Sequence, residues 1–162
     1  MFRRRRVPES VRGVALAPGE RRATWGLTAT GDPVVATDLG LHLPGSSARL
    51  AWADVEKAGW DRPFLTVSEV AMIKAAGRRW RMELADEGDL PAVVRTQVSA
   101  SVAWQDHVAL APSGGVRVVG RRRPGSELLD WQLVFDEDTD PGDPLVQAQA
   151  QAVLLDVRQR IG

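Results

Sequence analysis

Apolar and polar side chains alternate along much of the chain before residue 85, with the period of two that is typical of half-buried β-strands. The alternation is cleanest at residues 78–84, where Trp80, Met82 and Leu84 share one face and charged side chains occupy the other. Strands are predicted at residues 23–30, 34–37, 41–43, 49–52, 55–60, 64–68 and 78–84, with an undecided stretch near residues 71–75. These strands predict an antiparallel sheet.

Helical periodicity appears at three places. Residues 8–16 predict a short helix that Gly13 weakens. After Asp89, which can cap a helix, residues 94, 98 and 102 form a valine stripe. A long terminal helix is predicted to begin at Asp143-Pro144. Its apolar stripe consists of Val146, Ala150, Val153, Val157 and Ile161.

Three further strands are predicted between the second and third helices, at residues 107–111, 116–122 and 128–135. The last places Leu129, Trp131, Leu133 and Phe135 on one face. Glycine- and proline-containing turns separate the three strands. The chain therefore continues beyond the second helix with a smaller sheet and a helix.

A glycine lies between two apolar runs in Asp38-Leu39-Gly40, which raises the question of a phosphate-binding loop. Such a loop needs several glycines and a helix that begins directly after them. A short strand follows here instead. The segment is therefore predicted to be a hairpin turn, in which Asp38 bonds its own backbone at the start and Gly40 adopts a positive φ.

Seven antiparallel strands followed by one amphipathic helix resemble the pleckstrin-homology-like (PH-like) barrel. The resemblance to bacterial PH-like and GRAM-type domains is carried by LAPGERRATWGLTAT at residues 16–30, VVATDLGLHL at residues 34–43 and RLAWADVEKAGWD at residues 49–61. The chain also resembles a type of actinobacterial protein that contains SVAWQDHVAL, VRVVGRRRPG and LLDWQLVFDE towards its end.

The PH-like resemblance implies a binding scaffold, because domains of this kind bind phosphoinositides, peptides or other proteins. Fold alone does not decide among these ligands. Members that bind lipid use a first loop rich in lysine and arginine. The corresponding loop here, residues 30–33, reads TGDP and holds no basic residue, so the resemblance does not imply headgroup binding at that loop.

Charge is balanced overall but unevenly distributed. The 162 residues carry 21 basic and 21 acidic side chains, so no overall field gathers nucleic acid, and a nucleic-acid partner is not expected. Residues 1–22 hold seven arginines against two glutamates, whereas residues 126–162 hold eight acidic residues against two arginines. The two ends can neutralise each other, within one chain or head to tail, or can bind separate partners.

Several classes of protein are not expected. Cysteine is absent, which excludes disulfides and cysteine metal sites. No apolar run approaches the roughly 18 residues of a membrane-spanning helix, and the stretch after the first arginines lacks the apolar core of a signal peptide. The chain is therefore expected to be soluble and cytoplasmic.

Candidate catalytic and metal-binding groups are few. His42 and His107 both lie in predicted strands without a motif partner, and the G-x-S-x-G motif of serine hydrolases is absent. The acidic run at residues 136–143 fails the EF-hand pattern, because Pro141 and Gln147 occupy the positions of its glycine and glutamate. The run is predicted to connect a strand to a helix capped by Asp143. No catalytic residue, metal site or cofactor is predicted.

Two arginine clusters are the candidate sites for phosphate or lipid. Clustered arginines bind phosphates well, but they also occur on solvated termini and neutralised hairpins. Glu127 and Asp130 are positioned to neutralise the second cluster. The clusters consist of Arg3, Arg4, Arg5 and Arg6, and of Arg121, Arg122 and Arg123.

Six tryptophans are the other conspicuous feature. The predicted strands place Trp25, Trp80 and Trp131 on apolar faces, where packing in the core explains them. Trp52, Trp60 and Trp104 lie at or near strand ends, and the pattern leaves their environment open.

The sequence thus predicts an α+β protein: a PH-like antiparallel barrel capped by a helix, followed by a three-strand and helix extension. The predicted divisions are a basic segment at residues 1–15, the barrel and helix at residues 16–103, and the extension at residues 104–162. The predicted function is a non-catalytic module that binds a protein partner. The alternative is a peripheral membrane module that binds anionic lipid through the N-terminal arginines. Self-association through an open edge strand is also consistent with the pattern.

Overall fold

The computed structural model describes residues 5–71 and 77–161. The chain divides into two compact units, Met1–Ala100 and Ser101–Gly162, which we call the N-terminal and C-terminal units. Of the undecided stretch near residues 71–75, all but Ala71 lies outside the described residues.

The N-terminal unit contains a seven-stranded antiparallel sheet with the strand order β4-β3-β2-β1-β7-β6-β5. Its strands are β1 (Arg22–Thr28), β2 (Pro33–Thr37), β3 (Gly40–His42), β4 (Leu50–Ala51), β5 (Val55–Asp61), β6 (Phe64–Glu69) and β7 (Arg79–Asp86). The one-turn helix α1 (Glu9–Arg12) precedes the sheet, a 3₁₀ turn (Trp52–Asp54) joins β4 to β5, and helix α2 (Leu90–Ser101) follows β7.

Strand pairing does not close this sheet into the predicted barrel, because β4 and β5 are its two edges and do not pair with each other. The reason is that β4 has only two residues before the chain enters the 3₁₀ turn. The sheet nevertheless curls. In a flat seven-stranded sheet the two edge strands would lie roughly 29 Å apart. The link from Ala51, at the end of β4, to Val55, at the start of β5, has four Cα steps and reaches about 14 Å at most, so the edges must approach each other.

The main core lies between the inner face of this sheet and α2. Leu41, Leu65, Leu90 and Val94 are fully buried there. Gly26 allows the helix to approach β1, since a Cβ at this position would lie 2.8 Å from Leu90 Cδ2. Of the predicted valine stripe, Val94 is buried and Val98 packs at the margin of the core. The prediction of Val102 in this helix was wrong, because α2 ends at Ser101 and Val102 pairs with the following sheet.

A second apolar layer covers the outer face of β1 and β2. Trp25 and Val35 are buried there against Val11, and Val7 and Val14 pack at the edge. Strand β2 is therefore buried on both faces, which explains its nearly continuous apolar sequence. The helix predicted at residues 8–16 forms only one turn, Glu9–Arg12, and Gly13 ends it.

The C-terminal unit contains a three-stranded antiparallel sheet with the order β10-β9-β8 and a long helix. The elements are β8 (Val102–Ala109), β9 (Gly115–Arg122), β10 (Leu129–Phe135) and α3 (Pro144–Ile161). Helix α3 packs against β9 and β10. Of its predicted stripe, Val146, Ala150 and Val157 are buried, whereas the side chain of Ile161 is 40% exposed in the last turn.

Two tryptophans pack together across the smaller sheet. Trp104 on β8 and Trp131 on β10 both lie opposite Gly120 on β9. Their rings meet edge to face with centroids 5.8 Å apart. A Cβ on Gly120 would lie 3.0 Å from the Trp131 ring. Glycine on the central strand therefore makes room for the aromatic pair.

Candidate interaction surfaces

The N-terminal arginine cluster does not form one exposed basic surface in the described residues. Arg3 and Arg4 lie outside them. The guanidinium of Arg5 lies 3.7 Å from the centroid of the Trp25 ring and forms a 2.9 Å ion pair with Asp86. Arg6 is exposed. Arg5 therefore serves an intramolecular contact in this arrangement.

The second cluster is divided by the alternation of β9. Arg121 is buried, and it donates to Gln132 Oε1 at 3.0 Å and to Ser101 Oγ at 2.8 Å. Arg122 is exposed, and Arg123 pairs with Asp130 on the other arm of the hairpin. The predicted neutralisation by Asp130 is thereby confirmed. The three arginines do not converge on one site.

A buried carboxylate, Glu20, organises the region between the N-terminal segment and the first hairpin. Its side chain is fully buried and accepts four hydrogen bonds. The donors are Thr37 Oγ1 at 2.6 Å, Arg49 Nη1 at 2.8 Å, Ala17 N at 2.9 Å and His42 Nε2 at 2.9 Å. His42 thus acts as a donor to a carboxylate in a closed structural network.

Opposing effects set the pKa of Glu20. Burial alone would raise it, but the hydrogen bonds from Thr37, Ala17 and His42, together with the charge of His42, lower it to about 2. The carboxylate is therefore ionised at neutral pH, and its lone pairs are taken by donors from four segments. This arrangement suits a structural anion better than an acid–base catalyst.

The turn at Asp38-Leu39-Gly40 is built differently from the prediction. Residues 35 and 36 pair with residues 42 and 41, so the segment is a hairpin turn as predicted. Thr37 rather than Asp38 caps it, since Thr37 Oγ1 accepts from the backbone N–H groups of residues 39 and 40. The prediction of a positive φ at Gly40 was wrong. Glycine is needed because a Cβ there would lie 2.3 Å from Leu50 O.

The second histidine is also paired with a carboxylate. His107 Nε2 lies 2.7 Å from Asp136 Oδ2, and the two side chains are 50% and 36% exposed. Gly115 makes this contact possible, because a Cβ there would lie 2.4 Å from Asp136 Oδ2 and 2.6 Å from His107 Nε2. Pairs this exposed contribute little to stability.

We expect Gly115→Ala to lower the free energy of unfolding by about 1–3 kcal/mol, because the new methyl group overpacks the site. His107→Gln should lower it by less than about 1 kcal/mol, since it removes only an exposed pair. Urea unfolding measures both. Equal losses in the two variants would show that the pair, rather than the space above Gly115, stabilises this end of the sheet.

The acidic run at residues 136–143 connects β10 to α3, as predicted. Asp140 Oδ1 accepts from Gly142 N at 2.8 Å, and Asp143 Oδ1 accepts from Leu145 N at 2.9 Å. Asp143 therefore caps α3, which confirms that prediction. No cluster of three potential metal ligands occurs within residues 5–71 and 77–161.

Strand β5 forms one of the two edges of the larger sheet. β5 has seven residues and pairs only with β6 among the described strands. Glu69 N donates to Arg78 O, and Leu84 N donates to Pro63 O. The odd-numbered residues of β6 therefore direct their backbone groups towards β7, and the even-numbered ones towards β5.

This alternation fixes which backbone groups of β5 point outwards. Lys57, Gly59 and Asp61 pair with the even-numbered residues of β6 and direct their backbone groups to them. Ala58 and Trp60 direct theirs to the open edge. Their side chains pack at the margin of the core. The edge therefore offers backbone donors and acceptors from a strand whose side chains are already anchored.

Comparison with protein-family models, curated proteins and solved structures finds no match to this chain. Within the part of the chain that the structure describes, no helix is long and apolar enough to cross a membrane.

Sequence reasoning missed two features of the N-terminal unit: the buried carboxylate of Glu20 and the open edge of β5. Glu20 appeared only as one acidic residue in a basic segment, because its partners Thr37, His42 and Arg49 follow 17 to 29 residues later. The open edge of β5 was missed because strand order is not encoded in the pattern of any one strand. The length of residues 49–52 gave no signal either, since the predicted strand at residues 41–43 is shorter and lies inside the sheet.

Proposed function

We propose that the protein is a non-catalytic interaction module, built on a PH-like scaffold, that binds an extended segment of a protein partner along β5. The observation that carries the proposal is the seven-residue edge strand with outward backbone groups at Ala58 and Trp60. An unpaired edge of this kind is a template for an added strand, with affinity from backbone hydrogen bonds.

The strand order supports the PH-like scaffold. Seven antiparallel strands run in the order β4-β3-β2-β1-β7-β6-β5. Helix α2 follows β7 in the chain and packs into the core. The short link between β4 and β5 requires the sheet to curl, as in a barrel of this kind. The resemblance at residues 16–103 implies the same scaffold.

The surroundings of the histidines support a non-catalytic role. His42 donates to a buried carboxylate that three other groups also hold. His107 pairs with Asp136 above a backbone glycine on an open sheet surface. Neither geometry presents a nucleophile with an adjacent base.

The alternative of a membrane module receives less support from the arginines. Among the five described members of the two clusters, three have intramolecular partners: Arg5 with Asp86, Arg121 with Gln132, and Arg123 with Asp130. Arg6 and Arg122 are exposed. Binding of anionic lipid by Arg5, Arg121 or Arg123 would therefore have to compete with contacts that already exist.

Ala58→Pro tests the proposal, because it removes an outward N–H while proline remains tolerated on an edge strand. Ala58→Val is the matched control, since it adds similar bulk and keeps the N–H. Peptides would be selected from a random 12-residue library on the wild-type protein, and their affinities measured by calorimetry. We expect Ala58→Pro to weaken binding at least tenfold and Ala58→Val to change it less than threefold. Equal binding by all three proteins would overturn strand addition at β5.

A further inference from the structure

The outer face of β1 and β2 carries a seat for an arginine side chain, which Arg5 occupies. One side is the Trp25 ring, 3.7 Å from the guanidinium carbon. The Trp25 carbonyl accepts from Nη1 and Nη2 at 3.2 Å each, and Asp86 Oδ1 lies 2.9 Å from Nη2. A stacked aromatic ring, a carbonyl and a carboxylate together recognise the plane, the donors and the charge of a guanidinium.

Gly88 gives this seat its space. A Cβ on Gly88 would lie 1.4 Å from Arg5 Nη1, so any other residue would displace the guanidinium. Gly88 also has a positive φ of 50°. The seat is thus assembled from a β1 aromatic ring, the carboxylate that ends β7, and the turn before α2.

An apolar surface continues from the seat. Val7, Val11 and Val14 pack on Trp25 and Val35, and Val11 is only 1% exposed. The segment that supplies these valines has little order of its own. Its helix α1 has four residues and no side-chain N-cap, and so short a helix is not stable alone. The segment is therefore held by the surface beneath it, as a bound peptide would be.

The fit of this segment is incomplete in one respect. Arg5 Nε is buried and has no hydrogen-bond partner among the described residues. A buried donor without a partner costs free energy. This cost lowers the stability of the intramolecular contact.

We propose that this face is a binding site for an arginine-bearing segment of a partner protein, and that residues 5–14 of the same chain occupy it in cis. The partner segment carries arginine for the seat and valine or a similar apolar residue two and six positions later, as Arg5, Val7 and Val11 do. The site lies apart from β5 and does not depend on strand addition there. The chain's own segment is autoinhibitory, because a partner must first displace it.

A peptide with the sequence of residues 5–16, RRVPESVRGVAL, tests the site in trans. The full-length variant Arg5→Ala/Val11→Asp releases the segment in cis and leaves the seat intact. We expect this variant to bind the labelled peptide at least tenfold more tightly than the wild type, because the intramolecular segment competes at high effective concentration. Adding Gly88→Ala should abolish the gain by filling the seat.

A second peptide, with lysine in place of its first arginine, distinguishes recognition of the guanidinium from charge alone. It should bind the released variant at least tenfold more weakly, because lysine cannot stack or form forked hydrogen bonds. Equal binding of the two peptides, or equal binding with and without Gly88→Ala, would overturn the proposal. Loss of peptide binding after Ala58→Pro would instead show that the peptide uses β5.

A variant that leaves the segment unchanged keeps the proposal testable if the released variant does not fold. Gly88→Ala alone should expel Arg5 and raise the rate of trypsin cleavage after Arg12 at least fivefold, as followed by mass spectrometry. Gly19→Ala is the matched control, since Gly19 also has a positive φ but has nothing within 4 Å of an added Cβ. Equal cleavage rates in the two variants would contradict the claim that Arg5 occupies the space beside Gly88 and holds the segment in place.

Discussion

Glu20→Ala is expected to lower the free energy of unfolding by about 3–5 kcal/mol, because it removes a fully buried carboxylate and leaves its donors without an acceptor. Arg49, His42 and Thr37 all donate to Glu20 in the native state. Urea unfolding at pH 7 measures the loss. Glu9→Ala is the control, since Glu9 is exposed and should change stability by less than about 0.5 kcal/mol.

The same carboxylate predicts a dependence of stability on pH. Its pKa falls from the ordinary 4.5 to about 2 in the folded protein, because hydrogen bonds outweigh the effect of burial. Above pH 4.5 the ionised carboxylate therefore contributes about 3 kcal/mol to the free energy of unfolding. This contribution is lost as the pH falls towards 2. Glu20→Ala should remove this part of the acid dependence. An unchanged slope between pH 5 and pH 2 would show that other carboxylates cause the acid unfolding.

Trp52→Ala should destabilise the protein by about 3–5 kcal/mol, the usual cost of truncating a buried aromatic side chain. Trp52 is only 4% exposed, lies in the main core, and donates from Nε1 to Thr37 O at 3.0 Å. It also lies in the link that joins the two edges of the curled sheet. The variant keeps five of the six tryptophans, so its fluorescence differs from that of the wild type. Denaturant unfolding is therefore followed by circular dichroism.

Trp52→Phe separates packing from hydrogen bonding. It keeps most of the apolar ring but leaves the buried Thr37 carbonyl without its donor, which costs about 1–3 kcal/mol. The alanine variant should therefore lose more than the phenylalanine variant. A loss below about 1 kcal/mol for Trp52→Ala would contradict the role of this link in holding the sheet.

For strands that alternate strictly, both the position and the buried face could be predicted from sequence. For strands buried on both faces, the position could be predicted, but not which segments cover the two faces. Residues 78–84 alternate because β7 has one face in the core and one in solvent. Trp25 was expected in the core, yet it is buried in a second layer that the N-terminal segment forms on the outer face. Periodicity shows that a face is covered and does not show what covers it.

The limits at Val102 and Gly40 have specific physical causes. Val102 continues the helical valine stripe in sequence, but pairing with Arg121 on β9 draws it into a strand, so tertiary contacts override the local pattern. Gly40 is a turn glycine in sequence, whereas the structure requires it for the close approach of the Leu50 carbonyl. Neither contact partner lies near in the chain.

The arginine sites show the same limit for function. A run of four arginines suggests a solvated basic surface, but Arg5, one of its two described members, contacts Trp25 and Asp86, which are 20 and more residues away. In the second cluster, the alternation of β9 could have indicated that Arg121 and Arg122 point to opposite faces. That signal was available in the sequence, since the period of two is fixed for any strand.

Hydrogen exchange at the β5 amides tests the central claim most directly. In the free protein, the outward amides of Ala58 and Trp60 should exchange rapidly, whereas those of Lys57, Gly59 and Asp61 should be protected by β6. A saturating peptide selected on the wild-type protein should protect Ala58 and Trp60 at least tenfold and so remove the alternation. If their exchange is unchanged while the peptide is bound, the partner does not add to this edge and the proposed mode of binding is wrong.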